Sequence, residues 1–201
     1  MYNLILKSAV ESVLYSQNKQ TKPSPKEVVN SLIEAEKQAR KTNPNYQFQD
    51  LIGTWRLCFI TGTKKSRQSL EKFIGSGFYV PFFSHILITY SPLDSQLNLN
   101  LDSFKAKVEN RVKVGLVEFQ LTGPAKFIPK KNILAFDFTN LTFLLLGKKI
   151  YSGDIRGGKK SEDSFYKNSI ASQAFFAYFL VGENLIAARG RGGGLALWGR
   201  K

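Results

Sequence analysis

The chain of 201 residues carries 29 Lys and Arg against 15 Asp and Glu, a formal net charge of +14, with 43% hydrophobic residues, one cysteine and one histidine. That length and apolar content set a single domain with a sizeable core and exclude a disordered chain, while one cysteine excludes an internal disulfide and one histidine removes most metal centres and His-dependent nucleophilic mechanisms. The charge attracts an anionic partner, whether nucleic acid, an anionic leaflet or an acidic protein, and does not by itself choose among them.

Met1–Lys7 has too short an apolar core for a secretory signal and is not a Ser/Arg-rich transit sequence. A chain that is mature as written, or made in the compartment where it works, is therefore expected. From Leu6, the positions Val10, Val13 and Leu14 recur at helical spacing and predict a first amphipathic helix. A second helix has a stronger start: Ser24 caps it, Pro25 suits its first turn, Glu27 completes a capping box, and Val28, Leu32, Ala35 and Ala39 form one stripe before Thr42-Asn43-Pro44 ends it. Residues 1–45 are thus read as helices packing across the open end of a following barrel, and 46–201 as the barrel.

Leu51–Thr61 hands the helical start over to strands. After Gly53, the residues Trp55, Leu57 and Phe59 share one face and Arg56, Cys58 and Ile60 the other, the period of a pleated strand. Cys58 reads as a small core residue. A basic loop, Lys64-Lys65-Ser66-Arg67, is followed by a short helix over Ser69–Ile74. Phe78, Tyr79, Phe82 and Phe83 crowd around Pro81 and read as a loop tucked over the barrel or exposed as an apolar tip. His85–Tyr90 is a strand whose histidine faces solvent or is satisfied locally.

Alternation then predicts strands at Leu97–Leu101, Phe104–Glu109 and Val117–Leu121, each with one wet face. Phe127-Ile128, Ile133–Phe138 and Leu141–Leu146 continue an antiparallel meander of about nine strands in all. Gly153–Asn168 is polar and reads as a mobile loop. The longest apolar runs, Leu141–Leu146 and Ala174–Val181, fall far below the roughly 20 residues of a membrane helix. Leu185–Trp198 is a strand, a glycine corner and a closing strand, which a barrel needs to pair with its first strand. Arg189 is placed to stack on Trp55 and cover that closed end.

Carboxylate pairs, a Ser/His/Asp set and metal-ligand spacing are missing from the sequence pattern, so an enzyme is disfavoured and no cofactor is expected. Arg189-Gly-Arg-Gly-Gly-Gly has the composition of nucleic-acid-binding tails but lies between two apolar strands, so structural glycines are the stronger reading. The loop cations Lys64, Lys65, Arg67, Lys130, Lys131, Lys148, Lys149, Lys159 and Lys160 are candidates for a basic ring that docks on an anionic membrane, at roughly 1 kcal/mol each in low salt.

Gly53-Thr54-Trp55-Arg56-Leu57 resembles the opening strand of the plastid lipid-associated protein (PAP)/fibrillin family, and Glu183–Gly190 with its glycine-rich continuation resembles that family's ending. Gly182, Asn184 and Ile186 stand where the family often has Asp, Asp and Arg. The resemblance implies an all-β, lipocalin-like antiparallel β-barrel after two N-terminal helices. It further implies a non-enzymatic protein of thylakoids, plastid plastoglobules or the cytoplasmic face of cyanobacterial membranes, associated with prenylquinones, carotenoids or other lipids. Trp55, Leu57, Phe59, Tyr90, Phe119 and Arg189 are the residues expected to line its interior. A nucleic-acid-binding barrel and a protein-interaction scaffold are the competing classes.

Overall fold

A computed structural model describes residues 2–15, 22–62, 77–93 and 103–201. Lys64, Lys65, Arg67, the helix expected over Ser69–Ile74 and the strand expected over Leu97–Leu101 lie outside the described residues.

The chain forms two helices, α1 (Tyr2–Leu14) and α2 (Pro25–Thr42), a single turn α3 (Phe48–Leu51), and then strands β1 (Gly53–Ile60), β2 (Phe78–Tyr79), β3 (Ser84–Pro92), β4 (Phe104–Val114), β5 (Val117–Ile128), β6 (Ile133–Phe136), β7 (Asn140–Leu145) and β8 (Lys148–Asp154). A short helix α4 (Gly158–Phe165) precedes β9 (Ala174–Val181), β10 (Leu185–Gly190) and β11 (Leu195–Arg200). Helix α2 starts as its sequence predicts: the Glu27 amide donates to Ser24 Oγ and the Ser24 amide to the Glu27 carboxylate, and Asn43 ends the helix in the left-handed conformation.

Eight strands close an antiparallel barrel in the order β4-β3-β1-β11-β10-β9-β6-β5, with β5 returning to β4. The expected closing contact is present, with Trp55 opposite Arg200 and Leu57 opposite Trp198. Among the described residues eleven strands form where about nine were expected, with β2, β8 and β9 added. Gly153–Asn168 is not a loop: α4 occupies its middle, with Phe165 buried and its carbonyl accepting from Lys126 Nζ and Gln173 Nε2.

The barrel wall separates two cores. Inside lie Trp55, Leu57, Tyr90, Phe127, Tyr178 and Trp198 with their neighbours. Outside, Leu6, Val10, Val28 and Leu32 of the helices cover Cys58, Phe59, Phe179 and Leu197. Helices α1 and α2 therefore lie along the outer wall of β1, β11, β10 and β9 and do not cap an open end. Gly199 permits this approach, because a Cβ there would come within 2.4 Å of Val10. What plugs one end of the barrel is α3, through Phe48 and Leu51, with Phe48 packed against Phe127.

Strict alternation fails at two bulges. Between Leu57 and Phe59, β1 advances two residues while β11 advances one, and Cys58 is the extra residue. Cys58 and Phe59 consequently both face the helices, which removes Phe59 from the interior where alternation had put it. Strand β9 repeats the device at Phe179, between the partners of Ala187 and Ala188, so that Phe179 and Leu180 both turn outward. Burial pushes the Cys58 thiol up to about 12, in keeping with an inert core side chain.

Trp55 is fully buried, its indole N–H donating to the Leu51 carbonyl at 2.8 Å. Trp55→Ala is expected to destabilise the protein by about 3–5 kcal/mol, the usual result of emptying a large aromatic site. Urea denaturation checks this, and near wild-type stability would contradict the burial described.

Candidate functional site

The plugged end of the barrel is held by an arginine, though not the one expected. Arg189 lies on the outer face of β10, its Nε and Nη2 donating to the Glu36 carboxylate of α2 at 2.7 and 2.5 Å. It cannot stack on Trp55, because it follows the inward Ala188 by one residue and so points the other way. Arg200 takes that place. It shares the inward face with Trp198 two residues earlier, and its guanidinium sits 4.0 Å over the Trp55 ring. Its nitrogens also donate to the carbonyls of Glu183, Ile52 and Asp50. The register of the closing strand, which sets Arg200 opposite Trp55, decides this. Gly53, at φ +123°, brings the chain under that guanidinium, and a Cβ would stand 2.8 Å from Arg200 Nη1.

Within the interior the buried Tyr90 and Tyr178 hydroxyls pair at 2.8 Å. Burial raises both phenols well above their usual range, so both stay neutral. Tyr90 was expected here; Tyr178 was missed because the bulge beside it hides its inward direction.

At the end away from α3 the barrel wall does not stop where the barrel closes. Strand β5 pairs with β6 through Ala125–Ile128 and with β7 through Val117–Thr122, so β3, β4, β5, β7 and β8 run on as a sheet beyond the closed part. The inner face continues with them. Ile86, Val112, Phe119, Phe143 and Tyr151 stand opposite one another in one row across five strands, and Phe119 and Phe143 have ring centroids 5.1 Å apart. Phe119 thus has the predicted face but not the predicted place: it lies beyond the closed barrel and is 44% exposed. The opposite face of this sheet is polar, with Arg111 paired to Glu109 and Glu118 at 2.9 and 3.3 Å. Toward the closed barrel, Ile86 of this row and half-buried Ile60, Phe138 and Phe176 all pack onto the interior cluster. The arrangement is an apolar shelf leading into an apolar barrel. Sequence alternation marked the faces of these strands, but nothing local told which part of each strand the barrel would enclose.

The basic residues do not form one ring. Lys130 and Lys131 lie in a turn at the α3 end, Lys148 and Lys149 at the far tip of the shelf, and Lys159 and Lys160 on α4. His85 heads β3, where burial and then the cations Arg56, Lys201 and Lys113 hold its imidazolium below the usual histidine range. An open cleft of about 550 Å³ lies between the β4–β5 wall and α4, lined by Lys105, Lys107, Thr122, Glu162, Asp163 and Tyr166 among others.

Among the described residues no helix is long and apolar enough to cross a membrane, and no three His, Cys, Asp or Glu side chains gather as a metal site. The class defined is a closed, antiparallel eight-stranded β-barrel, a fold compatible with binding a hydrophobic ligand. Comparison of the sequence with family models and with curated proteins found no match to either.

Substitutions at Glu36, Tyr178 and Tyr90 check the charged and polar contacts. Arg189 holds the Glu36 carboxyl below its ordinary value, so this pair contributes stability above the unfolded carboxyl's range, and the contribution is lost as pH falls through the lowered folded value. Glu36→Gln is expected to lower stability by about 1–2 kcal/mol at pH 7, with the difference from wild type shrinking in acid. In the interior, Tyr178→Phe leaves the Tyr90 hydroxyl buried without a partner and is expected to cost about 1–3 kcal/mol. The double change Tyr90→Phe with Tyr178→Phe should cost less than the sum of the two single changes, as read in a double-mutant cycle.

Proposed function

We propose that the protein is a non-enzymatic, lipid-associated barrel that binds or organises hydrophobic small molecules at a membrane surface. The observation that carries the reading is the apolar row from Ile86 to Tyr151, which prolongs the barrel's inner face into solvent. Monomeric soluble proteins seldom leave such a contiguous apolar face uncovered without a partner for it. A long apolar molecule lying on the shelf, with one end against Phe138 and Phe176, removes that face from water at about 25 cal/mol per Å², less the cost of ordering the ligand.

The resemblance of the Gly53–Leu57 and Glu183–Gly190 stretches to the PAP/fibrillin family supports prenylquinones, carotenoids or related lipids as the ligand class. It also supports a photosynthetic membrane or lipid body as the place. The basic charge of +14 suits an anionic leaflet. The interior residues Trp55, Leu57 and Tyr90 are packed among themselves, so the shelf and the adjoining barrel end, rather than the α3 end, receive the ligand.

Mass spectrometry of organic-solvent extracts of natively purified protein is expected to show co-purifying prenyl lipid. Titration with a plastoquinone analogue should quench tryptophan fluorescence saturably, with affinity in the micromolar range. Phe119→Asp should weaken binding about fivefold or more while leaving the protein folded, at some cost in stability because the ring, 44% exposed, also packs against Phe143. No saturable binding by the wild-type protein, or unchanged binding by Phe119→Asp, would contradict the proposal.

A further inference from the structure

The exposed apolar side chains at the shelf end are not confined to its flat face. Three turns project there: Pro81-Phe82-Phe83 before β3, Gly115-Leu116 between β4 and β5, and Leu146-Gly147 between β7 and β8. The register brings them to one end, since Ser84 stands opposite Val114, and Val114 opposite Val117, which pairs with Leu145. The last two turns are joined directly by the Leu146 amide, which donates to the Leu116 carbonyl at 2.9 Å. At their crests Leu116 is 63% and Leu146 66% exposed, and Phe82, Phe83 and Ile150 are exposed beside them.

Charge follows the same end. Lys113 precedes one crest and Lys148 and Lys149 follow the other, all three exposed, and neither Lys113–Leu116 nor Leu145–Ile150 contains an acidic residue. We infer that these turns form a membrane-docking edge, in which Phe82, Leu116 and Leu146 enter the interfacial region of an anionic bilayer while Lys113, Lys148 and Lys149 meet lipid phosphates. Convex apolar crests with cations set just behind them suit a leaflet, where apolar tips sink below the headgroups and lysine stems reach back to them. A protein partner would have to supply a separate pocket for each crest. In this pose the shelf and the adjoining barrel end face the bilayer, and the end plugged by α3 faces away.

The inference deepens the lipid-associated reading by naming its surface, and it rests on that reading. Its test is co-sedimentation of the whole protein with phosphatidylglycerol/phosphatidylcholine vesicles and with phosphatidylcholine vesicles alone. Wild type is expected to favour the anionic vesicles and to lose affinity as salt rises. The double variant Leu116→Glu with Leu146→Glu should bind them about tenfold or more weakly, because two apolar contacts are replaced by anions facing an anionic surface. Its thermal unfolding should be unchanged, both side chains being already in water.

Replacing Lys113, Lys148 and Lys149 by Gln should flatten the salt dependence. Leu93→Glu, an exposed leucine just after β3 at the opposite end, should bind like wild type. Wild-type-like binding by the double leucine variant overturns the inference, as does equal loss in Leu93→Glu or failure of wild type to favour anionic vesicles. Quinone titration of the same variants without vesicles separates the two readings: tip-dependent vesicle binding without quinone binding sinks the ligand proposal alone, and quinone binding without tip dependence sinks the docking edge alone.

Discussion

A β-barrel exists only if its last strand finds its first, and in this protein that contact is secured where Arg200 lies over Trp55. The indole is anchored from below by the Leu51 carbonyl, and the guanidinium is shared among three backbone carbonyls from the α3 region and the β9–β10 turn. A cation over an aromatic face gains more as it is partly withdrawn from water, and the carbonyls supply acceptors for a half-buried guanidinium. The same few residues therefore close the sheet, fix the single turn of α3 over the barrel end and tie down the C-terminal strand. Gly53 is the backbone condition for that arrangement, since its positive φ and missing side chain admit the arginine.

With closure set, the wall must serve two cores, and the bulges are how it does so. A regular strand sends one residue in two to each face, which is too sparse to meet both a filled interior and two helices. At Cys58-Phe59 and Phe179-Leu180 an extra residue puts two consecutive side chains under α1 and α2, after which the strand resumes its inward phase at Ile60 and Val181. The Glu36–Arg189 pair then pins α2 to the same wall with hydrogen bonds to charged groups at a partly covered site.

Only part of β4 and β5 is needed to complete the barrel, and their length carries the inner face past it. An apolar surface that begins as core and ends in water is an unfinished contact. Its continuity with the half-buried aromatics Phe138 and Phe176 suits an elongated apolar occupant, and the convex, lysine-flanked turns at its edge suit a leaflet. The polar outer face of the same strands, with Arg111 bridging Glu109 and Glu118, keeps the extension soluble on its other side.

Local chemistry determined much of this protein in advance. The capping box of α2, the alternation of Phe104–Val108 and Val117–Leu121, the glycine corner before the final strand and the need for β11 to meet β1 are all properties of neighbouring residues, so they were legible in the sequence. What lay beyond it were the quantities set by partners distant along the chain. The places of Phe59 and Tyr178 depend on bulges that arise from covering one wall with helices, although the unbroken apolar runs Leu57–Ile60 and Phe179–Val181 hinted that both faces were buried. The choice of Arg200 over Arg189 for Trp55 rests on strand phase across a pairing 145 residues apart, from Trp55 to Arg200. The exposure of Phe119 depends on where the eight strands stop closing on one another, and alternation is identical on either side of that line, so only the tertiary structure decided it.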